Sequence, residues 1–236
     1  ASDVYKRQAP ETTEKTDPSG ESWKEDEELK LYGTADQDVD EEGKVRTASS
    51  YDLDTVISQT VSWKRGTSDN TVFTADFLNN VSSTASDWTV LFLGRLGIAE
   101  DYDAFLNRAS AYVKDLYDKN PSTGLSTNTP TEWHRLTMAV LAAGGDPTDV
   151  GGHDLIADGT YNCLAGAPWE QGMNGAAWAL LALDSKGYEV PEKAKYTRED
   201  LISYILGKEL SGGGWSLDDK NPSLDLCLLY TSPSPR

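Results

Sequence analysis

Three short stretches of this chain are almost free of charge, and their spacing suggests the fold. Residues 88–96, 133–143 and 174–184 carry one charged side chain apiece and are otherwise small, polar-neutral or apolar. The clearest case is 171–187, where nothing between Met173 and Leu183 is charged. A helix that is apolar all round has no solvent face, so this run is expected to be an inner helix enclosed by others. At about 1.5 Å per residue it spans roughly 16 Å, far short of a bilayer. Gly175, Ala176, Ala177, Ala179 and Ala182 let neighbours approach, and Trp178 fills volume. Gly172 and Asn174 mark its start and Gly187 its end.

Between these stretches the pattern is amphipathic. In 101–119, Tyr102, Phe105, Leu106, Ala109, Val113 and Leu116 recur at three and four, with charges elsewhere, which predicts a surface helix. Asn120-Pro121 stops it. Thr197 and the acids after it open another, with the stripe Leu201, Ile202, Ile205, Leu206 and Leu210. A shorter element is expected near 153–160. Upstream, Leu53, Val56, Ile57 and Val61 predict a helix from Ser49 or Ser50, and 70–81 a short one through Phe73 and Phe77. Asp87 is placed to cap or open the helix from Trp88. The charge-poor ends at Gly97, Gly144 and Ser185 are offset by 47 and 41 residues. That spacing predicts repeated helical hairpins, one helix of each buried and one half exposed. Two concentric layers of helices satisfy it, and an open solenoid is the alternative.

Composition changes the picture at the ends. The chain has 236 residues and a net charge of −18. Such acidity argues against nucleic acid and anionic membrane surfaces, and suits cationic partners or metal ions. No run is long and apolar enough to span a membrane. Residues 9–48 read as a disordered acidic linker, because so polar a segment cannot bury enough apolar surface to offset its ordering entropy. Within it, 21–32 could form a transient helix or a first strand, and the alternating acids of 36–40 lack the Gly and closing Glu of a calcium loop. Residues 1–8 and 227–236 read as translated sequencing-library adapter. The codons TGT CTC TTA TAC ACA TCT give Cys227 to Ser232, and GAT GTG TAT AAG AGA CAG on the complementary strand give Asp3 to Gln8. Both ends are therefore expected to lie outside the fold, the domain to be a fragment covering 49–226, and the lack of a signal peptide to carry no information.

Glu209-Leu-Ser-Gly-Gly-Gly-Trp215 resembles the Gln-x-x-x-Gly-x-Trp repeat of the terpenoid cyclase and protein prenyltransferase superfamily, with Glu209 in place of Gln. Pro222-Ser-Leu-Asp225 is similar to the segment that follows it. Asp87-Trp88 with Arg95-Leu-Gly97, Trp133-His-Arg135 with Gly144-Gly-Asp-Pro147, Gln171-Gly-Met-Asn174, and Leu183-Asp-Ser185 with Tyr188 resemble the bacterial secreted branch, which carries prenyltransferase/squalene-oxidase-like repeats. The resemblance covers about residues 50–226. It implies an all-α fold, an incomplete α/α toroid of helical hairpins behind the acidic linker.

The family's chemistry is not carried over intact. Class II terpene cyclases use an Asp-x-Asp-Asp acid, whereas this chain has Leu217-Asp218-Asp219 and a lone Asp225. Protein prenyltransferases hold zinc, but Cys163, His134 and His153 have no paired spacing. No catalytic residue, metal or cofactor is therefore assigned. The resemblance implies that inner-helix openings face the toroid cavity, which makes Trp88, Trp133, His134, Arg135, Asn174, Trp178 and Trp215 candidates for holding a small apolar or cationic ligand. The bland alternative is that the tryptophans wedge helices together. On that reading His134 is a hydrogen-bonded helix-start residue and Arg135 pairs with a carboxylate on a neighbouring helix. The expected function is a non-catalytic ligand- or partner-binding module of an exported, cell-surface bacterial protein. The alternatives are a cyclase-like enzyme whose acid lies outside the fragment, and a structural spacer.

Overall fold

The computed structural model describes residues 15–16, 22–23, 53–66, 70–216, 221–224 and 227. The chain divides into two compact units, 1–64 and 65–236. In the first, β1 (Lys15–Thr16) pairs antiparallel with β2 (Ser22–Trp23), Lys15 opposite Trp23. β2 takes up two residues of 21–32, and the others of that stretch lie outside the described residues. The rest of the expected linker 9–48, the Ser49 or Ser50 start, and residues 1–8 and 228–236 lie outside the described residues. Helix α1 (Leu53–Arg65) follows.

The second unit is all-α among the described residues. Its helices are α2 (Ala75–Asn79), α3 (Thr84–Arg95), α4 (Tyr102–Lys119), α5 (Thr131–Ala142), α6 (Leu155–Gly159), α7 (Gly172–Asp184) and α8 (Arg198–Gly207). Side-chain caps start most of them: Thr74, Ser83, Asp101 and Asp154 each accept from a backbone N–H in the first turn. Thr197 and Asp200 form a reciprocal capping box on α8, as their spacing predicts. Asp87 does not open α3. Ser83 caps that helix, and Asp87 sits inside it, its side chain drawn to a cation on α5.

The charge-poor helices end alike. Ile98 N donates to Leu93 O, Gly145 N to Val140 O and Tyr188 N to Leu183 O, at 2.8–2.9 Å. Each bond closes the helix by a six-to-one contact. Gly97 and Gly144 take the left-handed conformation that such an exit favours, at φ 66° and 84°. Gly187 is therefore the third equivalent end, rather than Ser185, and the repeat offsets become 47 and 43 residues.

α3 lies beside α5 and α5 beside α7, in a row. Their N-terminal turns are joined by Arg135 to Asp87 and by Gln171 to Thr131, and their last turns share one cleft, so the three run parallel. α6 packs on α5, and α8 packs on α7. Ile156, Met173, Ala176, Ala179, Leu183, Leu201 and Ile205 form one core cluster from α6, α7 and α8. α3 and α5 approach closely at Gly94, where a Cβ would stand 2.2 Å from the Ala142 carbonyl oxygen.

The inner helices are not enclosed all round. Trp88 and Phe92 on α3 are 41% and 40% exposed, and Asn174, Trp178 and Leu181 on α7 are only half-buried. One face of the row is left open, with apolar side chains on it. The lack of charge on α7 reflects close packing on its other sides together with an apolar open face.

Candidate functional site

The open face is built from the first turns of α3 and α5 onward. Arg135 sits near the start of α5. Its Nε donates to Asp87 Oδ2 at 2.9 Å, and its terminal nitrogens donate to Glu132 (2.5 Å to Oε2) and to the Ser82 carbonyl (2.8 Å). Two carboxylates and a carbonyl therefore occupy this guanidinium. Asp87 is fully buried, and burial pushes its carboxyl up to about 6 despite the lowering effect of Arg135. Its Oδ1 has no partner among the described residues. Arg135 thus joins α3 to α5, as the expected carboxylate pairing anticipates.

Trp133 and His134 point away from that face. Trp133 is fully buried, and its indole N–H donates to Tyr117 Oη on α4 at 2.8 Å. Tyr117 in turn donates to Asp158 Oδ2 at 2.6 Å and stacks on His153 at 3.7 Å. Burial and the Asp158 carboxylate push that phenol up. His134 Nε2 lies 2.8 Å from the Gly159 carbonyl, which can only accept, so the ring proton sits on Nε2. Burial lowers this imidazole to about 4. Both residues are core connections between α5 and the layer behind it. Trp215 is also buried, in the α6, α7 and α8 cluster, with its indole N–H donating to Ile205 O at 2.8 Å. Cys227, expected outside the fold, is half-buried beside it, 3.4 Å from the Trp215 amide nitrogen.

The structure brings two of the seven candidates together. The rings of Trp88 and Trp178 meet edge to face, 5.4 Å between centroids and 61° between planes. α3 and α7 flank α5, and these indoles meet across it. Asn174 lies one turn before Trp178 on the same side of α7. One turn past the indole pair a cleft of about 100 Å³ opens. Leu91 and Arg95 of α3, Met138 and Leu141 of α5, and Leu181 and Asp184 of α7 line it. Asp184 is paired with Arg198 at 2.6 Å, whereas Arg95 has no partner among the described residues.

The sequence reading missed the cleft residues, and it missed Gln171. The Gln171 side-chain oxygen accepts from Thr131 N at 3.1 Å and from Thr131 Oγ1 at 2.7 Å. It caps α5 from the neighbouring helix, where the local cap residue Pro130 makes no side-chain bond. Leu91, Met138 and Leu181 carry no chemical signal of their own. Their positions one turn past Trp88, Arg135 and Trp178 would have located them once the open face was known.

Among the described residues no three His, Cys, Asp or Glu side chains converge on a metal position. Burial pushes the Cys163 thiol up to about 11. The acids Asp218, Asp219 and Asp225 lie outside the described residues. No described helix is long and apolar enough to cross a membrane. Comparison with family models, with curated proteins and with solved structures returns no match.

Proposed function

We propose that the helical unit is a non-catalytic ligand-binding module, a portion of an α/α toroid of the terpenoid cyclase and prenyltransferase kind. We place it in an exported bacterial surface protein with prenyltransferase/squalene-oxidase-like repeats. Three features support the fold part of this reading: the alternation of charge-poor and amphipathic helices, the parallel inner row, and the shared helix-closing bond. The acidic Thr- and Pro-containing stretch 9–48 has the composition of a linker following an export signal, which supports the location. The observation that carries the binding reading is the Trp88–Trp178 pair. Two indoles from helices on either side of α5 meet on the open face instead of in the core. Aromatic surface held open beside an apolar cleft suits a small ligand with an apolar body.

The chain has two methionines, which makes the test specific. Met138 lines the cleft and Met173 is buried in the core cluster. With ¹³C-labelled methionine methyls, titration with short arenes, alcohols, amines and carboxylates should shift the Met138 signal saturably and leave Met173 in place. If no compound of the panel moves Met138, the binding reading fails.

A further inference from the structure

The geometry points to a small amphipathic monocarboxylate as the ligand of the cleft beside Trp88 and Trp178, an inference that rests on the binding reading above. The cleft has an apolar floor of Leu91, Met138, Leu141 and Leu181, one turn past the indole pair, and its mouth carries the exposed Arg95 and Asp184. An apolar body fits the floor and a polar head fits the mouth.

The sign of the head follows from the charges present. Asp184 already has the Arg198 guanidinium at 2.6 Å, while Arg95 has none of the described carboxylates as partner. Of the two charged side chains that line the cleft, Asp184 is thus already matched by a cation from α8, and among the described residues Arg95 is the charge left to meet a ligand. Arg135, at the other end of the indole pair, is filled by Asp87, Glu132 and Ser82 O and has no such capacity. A guanidinium presents parallel N–H donors matched to a carboxylate, and charge-assisted bonds of this kind are about twice as strong as neutral ones. Arg95 in the last turn of α3 also complements that helix's dipole. That role is indifferent to what fills the cleft, so the two can be separated by titration.

Size limits the class further. A sealed aliphatic cavity of ~150 Å³ takes benzene. A cleft of about 100 Å³ that is open on one side therefore accommodates one ring or a short alkyl chain, with the head outside. The class is an aryl or short-chain aliphatic monocarboxylate.

The probes are phenylacetate, 2-phenylethanol and phenethylamine, which share a ring and differ in the head. Each is titrated into the full chain, with the Met138 and Met173 methyl signals as readout. Phenylacetate should move Met138 alone and bind about tenfold or more tightly than the alcohol or the amine. Arg95→Gln should weaken phenylacetate by a similar factor, leave the alcohol unchanged, and leave the melting temperature near that of the parent. Binding of the alcohol or amine at least as tight as phenylacetate, or an unchanged phenylacetate affinity in Arg95→Gln, overturns the carboxylate assignment while the binding reading stands. If none of the three, nor the wider panel, moves Met138, both fall.

Discussion

His134 and Asp87 are buried titratable residues whose ordinary values lie on opposite sides of the shifts they undergo. The imidazole falls from 6.5 to about 4 on folding. The unfolded chain therefore takes up this proton first, so the stability His134 contributes is whole above pH 6.5 and is lost as pH falls toward 4. The loss over that window is about 3 kcal/mol. The Asp87 carboxyl rises from 3.8 to about 6. Here the folded chain holds the proton longer, so stability is whole below 3.8 and is lost as pH rises through 6. Between pH 4 and 6 the two slopes oppose each other. Denaturant unfolding of the parent and of His134→Gln across this range should separate them. The variant should be less stable at pH 7, and its deficit should shrink as the pH falls. A deficit that stays constant would mean His134 is not held neutral. Asp87→Asn should cost less than about 1 kcal/mol at pH 7, although it removes an ion pair, because Arg135 keeps Glu132 and Ser82 O. A loss above about 3 kcal/mol would show that the pair outweighs the burial of its carboxylate.

At the scale of helices, contact distance outweighs intrinsic propensity. Alanine is preferred over glycine inside a helix by about 1 kcal/mol. At Gly94 that gain should be reversed, since the new methyl would lie 2.2 Å from the Ala142 carbonyl oxygen and push α3 away from α5. We expect Gly94→Ala to lower stability by about 1–3 kcal/mol, read as a fall in melting temperature. Ala142→Gly should not rescue it, because the obstacle is backbone. The start of α5 depends on a side chain 40 residues away. Gln171→Ala should cost about 1 kcal/mol and speed amide exchange at Thr131, while leaving the closing turn of α5 protected.

For the molecule as a whole, the prediction concerns which tryptophans hold it together. Trp133 is fully buried and hydrogen-bonded, and Trp133→Ala should remove about 3–5 kcal/mol. Trp88 is 41% exposed on the open face, and Trp88→Ala should remove about 1 kcal/mol. Equal losses in chemical denaturation would mean that the open face is part of the core in solution, and the binding reading would lose its ground.

The sequence by itself determined the helical class of this protein, the places of its main helices and the links that leave a local signature. Charge-poor stretches became α3, α5 and α7, amphipathic ones became α4 and α8 (although Ile202 and Leu206 of the expected α8 stripe are exposed), and the Thr197 box and the Arg135 pairing formed as their residues suggest. Tertiary structure decided which tryptophans are buried and where the cleft lies. An amphipathic helix records in its own period which side faces water. A helix such as α7, apolar on every side, has no such record. The position of Trp178 at the open face, and of Trp133 in the core, was therefore settled by rotation about the helix axis and by the neighbours that pack there. The same holds for the Gln171 cap on α5, because it joins two helices whose adjacency no local pattern encodes.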